Sequence, residues 1–137
     1  MDLATSRYAA RDLILQSARV PVGITVGNPR WPLGYQLACN LRALAPTRSM
    51  LGLPTDIFEQ TYRARLDDLG VEAIRALLQT CCDDVGNERL LLLCFENLDG
   101  EPGKSCHRRM FATWWTEHTG AVVPELEPDV RQGQLFR

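Results

Sequence analysis

A single α/β domain, with a mostly parallel sheet of about five strands and helices on both faces, is the fold class that three observations predict. Strand-like apolar runs alternate with amphipathic segments of helix length along the chain. One run, RLLLLCFE at 89–96, is apolar on both of its faces, as central strands of a covered parallel sheet are. A length of 137 residues, with 45% hydrophobic and 23% charged side chains, suits one domain with its own core.

The elements follow in chain order. LATSRY is short and strand-like, and AARDLILQS after it has helical spacing through Leu13, Ile14 and Ser17. VPVGITVG at 20–27 is β-branched and runs into Gly27-Asn28-Pro29, a turn signal. Pro29 and Pro32 keep the next stretch out of a regular helix, and LRALAP reads as a weaker strand that Pro46 stops. PTDIFEQTYRARLDDLG has the strongest helix signature. Thr55 suits its cap, Asp56 and Glu59 its first turn and Gly70 its end, with Ile57, Phe58, Tyr62, Leu66 and Leu69 inward. A second helix, VEAIRALLQTCCDDVG, turns Val71, Ile74, Leu77, Leu78 and Cys81 inward. After the apolar strand, Cys106 to His118 reads as a helix closed by Gly120, and AVVPEL as the last strand. The expected division is an α/β domain over 1–126 and an extended tail over 127–137.

Bulk properties exclude several functions. A net charge of −2 gives no general attraction to nucleic acid or anionic membrane. No apolar run approaches the roughly 20 residues that span a bilayer, and MDLATSRYAARD lacks the apolar core of a signal peptide. Five cysteines without framework spacing point to free thiols in a reducing compartment, with the cytoplasm expected. Two histidines in all, and a Cys81-Cys82 pair without C-x-x-C spacing, speak against a metal site. No metal and no cofactor are expected. The GKS at 103–105 lacks the glycine-rich spacing of a phosphate-cradling loop.

The chemistry gathers at EPGKSCHRRMF, residues 101–111, which follows the apolar strand and opens a helix. Ligands of open parallel sheets bind beyond the carboxyl ends of the strands, and three loops leave such ends: Ser6-Arg7-Tyr8, Asn28-Pro29-Arg30 and the run from Glu96 to Cys106. His107, Arg108 and Arg109 occupy a first helical turn, where the helix dipole disfavours cations. A bound anion would offset that cost. The same field lowers the pKa of a thiol, which makes Cys106 a candidate nucleophile. The blander alternatives are a Cys106 that only packs, a Cys94 that is core, and an Arg108–Glu96 ion pair that holds helix to sheet.

The run TSRY, ITVGNPR, LLLLCFE and CHRRMF resembles the family catalogued as domain of unknown function 488, over roughly residues 2–126. Its most specific part is Cys94-x-Glu96 followed by Cys106-His107-Arg108. The resemblance implies an α/β fold with a shared pocket, and no reaction. Many relatives carry Asp-x-Arg before the Pro-Arg element, where this chain has Thr25 and Gly27.

The tail offers a separate clue. Gln132-Gly133-Gln134-Leu135-Phe136 looks like the Q-x-x-L-F peptide that docks bacterial replication and repair proteins on the sliding clamp. The alternative is that Leu135 and Phe136 fold back on the domain's own core.

The function expected is binding, and processing if the site is an enzyme's, of a phosphate-bearing ligand, a nucleotide or a nucleic-acid end. Ser6, Arg7, Arg30 and Arg108 would hold the ligand, with Cys106, His107 and Glu96 as catalytic residues. The alternative is a non-enzymatic accessory module of DNA metabolism, recruited through Gln132, Leu135 and Phe136.

Overall fold

Parallel pairing is visible first in the central strand. In a computed structural model that describes residues 1–95 and 106–127, Arg89–Cys94 forms a strand in which every residue after Arg89 is buried. The elements are β1 (Asp2–Arg7), α1 (Arg11–Gln16), β2 (Val20–Gly23), β3 (Cys39–Asn40), α2 (Thr55–Leu69), α3 (Val71–Val85), β4 (Arg89–Cys94) and α4 (His107–Thr119). The four strands form one sheet in the order β1-β4-β2-β3, and all its pairings are parallel.

The register fixes where the site falls. β1 runs beside β4 from Asp2 opposite Arg89 to Arg7 opposite Cys94, and β2 runs beside it from Val20 opposite Leu90 to Gly23 opposite Leu93. The carboxyl ends of all three strands therefore open on one edge of the sheet. Sequential strands that pair in parallel need crossovers of a dozen residues or more. Among the described residues α2 and α3 lie within the connection from β3 to β4.

Alternation along β4 divides the core. Leu90 and Leu92 pack with Tyr62, Leu66, Ile74, Leu78, Phe111 and Trp114 of the long helices. Leu91 and Leu93 face a smaller cluster of Ala4, Tyr8 and Ile14, flanked by Leu33, Tyr35 and Leu37 from the loop after β2. That second cover is largely loop, with Ile14 the buried contribution of the six-residue α1.

Four expectations change. The sheet has four strands, not five: LRALAP contains a 3-10 turn, Arg42–Leu44, and the strand is the two residues just before it. AVVPEL contributes a single parallel bridge, Glu125 to Thr5, rather than a strand. In α2, Tyr62 and Leu66 are buried whereas Ile57 and Leu69 are exposed, so its inner face is narrower than the apolar positions imply. Thr55 is its first residue rather than its cap, which is Pro54.

α2 and α3 meet at Gly70, whose φ of 83° lies in the left-handed region that glycine adopts without a Cβ clash. α4 begins at Cys106, its N-cap, and ends on Gly120. Of the expected tail, residues 128–137 lie outside the described residues. No helix among the described residues is long and apolar enough to cross a membrane.

Candidate functional site

The carboxyl edge of the sheet is built from small and polar residues where backbones must converge. At the end of β2, a side chain on Gly23 would overlap Tyr8 Oη, with Asn40 Oδ1 at 2.9 Å. The absent Cβ lets three segments meet there. Tyr8 Oη donates to Thr25 Oγ1 at 2.7 Å, since Thr25 Oγ1 gives its own proton to the Gly27 carbonyl at 2.8 Å. Asn40 closes the corner by accepting from the Thr25 amide at 3.0 Å and donating to the Thr25 carbonyl at 2.7 Å. The loop after β2 is thus tied to β1 and β3 before it turns outward.

Cys94 ends β4 and Cys106 caps α4, and the two sulfurs are joined across a Cα separation of 7.7 Å. Cys94 is therefore more than a core residue. His107 follows, its ring buried edge-on to Tyr62 at 5.6 Å between centroids. Its Nε2–H donates to the Ile24 carbonyl, and Nδ1 lies 3.8 Å from Cys106 Sγ.

Arg108 is 1% exposed, and its surroundings account for it. Nε contacts both oxygens of Glu125 at 3.0 and 3.1 Å, Nη2 donates to Oε2 at 2.8 Å, and Nη1 reaches Cys94 Sγ at 2.8 Å. Arg109 adds a looser contact to the same carboxylate at 3.8 Å. The anion that the cations of this helix start call for is thus supplied within the chain. Thr5 Oγ1 donates to Glu125 Oε1 at 2.7 Å, and the bridge at Thr5 carries Glu125 to this spot.

Beside the joined cysteines lies a cleft of about 380 Å³, lined by Thr25, Gly27, Phe58, Phe95, Cys106 and His107 among others. This is within the size range of small-molecule sites, roughly 300–1,000 Å³. A shallower groove adjoins it, carrying Arg30, Trp31 and Arg48 and sharing Val26, Gly27 and Phe95 with the cleft. Trp31 and Phe95 are both almost half exposed, and their rings stand 5.9 Å apart.

Of the residues picked from sequence, Cys106 and His107 line the cleft and Arg30 the groove next to it. Arg108 shares their edge of the sheet but faces Glu125. Ser6 is buried in β1 opposite Leu93, Arg7 is half-buried opposite Cys94, and neither lines the cleft or the groove. Glu96, Gln132, Leu135 and Phe136 lie outside the described residues. Sequence reasoning missed Glu125, Arg48 and the aromatic rim. Only Thr25 carried a signal, through its place in the turn-forming stretch ITVGNPR.

Comparison of the chain with protein-family models, with curated proteins and with solved structures finds no match.

Proposed function

We propose that the cleft and its groove bind a phosphate-bearing ligand of the nucleotide class. The observation that carries this reading is continuity: an apolar cleft with Cys106 and His107 in its lining shares a wall with a groove that presents Arg30 and Arg48. A ligand spanning both would rest its apolar or planar part against Phe58 and Phe95. Its phosphate would reach the two exposed guanidiniums, which recognise phosphate in a bidentate manner. Exposed Trp31 and Phe95 rings are suited to stacking on a base. Arg108, in this reading, is committed to Glu125 and holds the start of α4 instead of touching the ligand. Cys106 remains the candidate nucleophile, with a thiol available to the cleft once its bond to Cys94 is reduced.

Membership of the domain of unknown function 488 family is part of the same proposal. It rests on the likeness of the quoted motifs in the sequence, whose strand ends lie at one edge of the sheet.

A thermal-shift screen with mono- and dinucleotides, inorganic phosphate and short oligonucleotides tests the binding, because a ligand of the folded state alone raises the melting midpoint. A phosphate-dependent rise is expected, lost in Arg30→Glu and Arg48→Glu. A flat response across the panel refutes the reading.

A further inference from the structure

We propose that Cys94, Cys106 and His107 hold a thiophilic divalent metal ion of the zinc class, with its fourth coordination position open to the cleft. This goes beyond the nucleotide reading and stands without it, and it makes Cys106 a ligand in place of a nucleophile. One ligating atom from each of the three residues lies within 4.8 Å of the others. Ligand atoms so grouped converge on a single ion with bonds of about 2.0–2.3 Å after small side-chain shifts. All three residues are buried. The fold brings them together because the parallel register ends β4 at Cys94 and the chain re-enters beside it at the N-cap of α4.

Two further contacts prepare these atoms as ligands. His107 Nε2–H is fixed on the Ile24 carbonyl, which makes Nδ1 the lone-pair nitrogen and turns it toward Cys106 Sγ. Metal-bound imidazoles are held in this way, their second N–H committed to a carbonyl or carboxylate. Arg108 Nη1 donates to Cys94 Sγ at 2.8 Å and fixes where that sulfur lies. Glu125, paired with Arg108 and more loosely with Arg109, offsets part of the positive charge that would otherwise oppose a cation. Cys94 and Cys106 are joined sulfur to sulfur in the structure, so the ion enters once that bond is reduced and the two sulfurs part.

Two thiolates and an imidazole select zinc-class ions over magnesium or calcium. Cys106 and His107 both border the cleft. An ion bound to them therefore presents its remaining position there, the three-ligand arrangement of catalytic rather than structural zinc. Loading requires the reduced pair. A phosphine gives two electrons to the sulfur–sulfur bond and leaves as its oxide, taking oxygen from water. The two thiols so formed release their protons as the ion binds.

The test uses the full chain, reduced with a phosphine without oxygen, desalted, and titrated with Co²⁺ and then Zn²⁺. A thiolate-to-cobalt charge-transfer band that saturates at one equivalent and disappears on adding zinc is expected. Cys106→Ser should lose the band and Cys39→Ser should keep it. In the unaltered chain, which settles the matter even if Cys106→Ser fails to fold, zinc should suppress alkylation of Cys94 and Cys106 relative to the metal-free reduced protein. No band in the reduced chain, or zinc protection falling on Cys39 and Cys81 instead, overturns the proposal. The nucleotide panel applied to metal-free protein reads the other proposal separately, so either can fail alone.

Discussion

Arg108 and Glu125 form a three-contact ion pair, at 2.8 to 3.1 Å, with the guanidinium buried against the end of the central strand. Glu125 is held in turn by Thr5, so the pair ties α4 to both β1 and β4. Removing one partner leaves a buried charge uncompensated. Glu125→Ala should therefore cost about 3 kcal/mol in urea unfolding. A double variant, Arg108→Met with Glu125→Leu, should recover most of it, since apolar replacement of a buried pair is often neutral. A loss below about 0.5 kcal/mol, the range of ordinary surface substitutions, would show that the pair stabilises nothing.

Thiol reactivity should depend on the redox state of the Cys94–Cys106 pair beside the cleft. Without reductant, half-buried Cys39 should alkylate first, while burial raises the thiol pKa of Cys81 and Cys82 and slows both. After reduction Cys106, which borders the cleft, should overtake Cys94 at the end of its strand. Mass-mapped alkylation at neutral pH reads the order. Rapid labelling of Cys106 before any reductant is added would contradict the sulfur–sulfur bond.

Alkaline pH should weaken the fold in a defined window. Burial, followed by the contact with Cys39, pushes the Cys81 thiol from 9.0 up to about 12. Burial likewise raises the Tyr35 phenol from 10.0 to about 12. Both groups hold their protons more tightly folded than unfolded, so the unfolded chain releases them first as pH rises. Their stabilisation is complete below 9.0 and is lost on the way to about 12. Urea midpoints should fall across that range, and Cys81→Ser should flatten the part of the decline nearest 9.0. Unchanged curvature in that variant would assign the decline to the tyrosines.

Gly23→Ala should disturb the cleft from behind. The added methyl meets Tyr8 Oη and Asn40 Oδ1, the groups that hold Thr25. Overpacking of this kind costs about 1–3 kcal/mol, and displacement of Thr25 should also weaken whatever the cleft binds. Gly27→Ala, with open space around its Cβ, is the control and should cost far less.

The long helices and the strands β1 and β4 were legible because they carry periodic or continuous apolar signals over many residues. Tyr62 and Leu66 at helical spacing, and four leucines in a row, leave few alternatives. β3 was not legible: alternation cannot be read from two residues, and Cys39–Asn40 pairs with β2 because the preceding loop delivers it there. LRALAP has the composition of a strand, yet Leu41 and Leu44 sit on one side of a 3-10 turn, where both reach the main core. At the site, sequence placed a cysteine, a histidine and an arginine at one helix start. The partners Cys94 and Glu125 were decided by tertiary geometry. Which acid neutralises Arg108 depends on a single bridge to β1 that no local pattern announces.

That bridge has a second consequence, for the company the protein keeps with its own copies. β1 is a border strand of the sheet, and a row of unpaired amides and carbonyls there is a template for a foreign strand. At its midpoint the Thr5 amide is taken by the Pro124 carbonyl and the Thr5 carbonyl by the Leu126 amide. The opposite border is only two residues long, too short to template a neighbour. One three-residue stretch, Pro124 to Leu126, thus guards the sheet against edge-to-edge polymerisation while carrying the counterion for Arg108. A chain that lost it would be exposed to aggregation and destabilised at its centre by the same stroke.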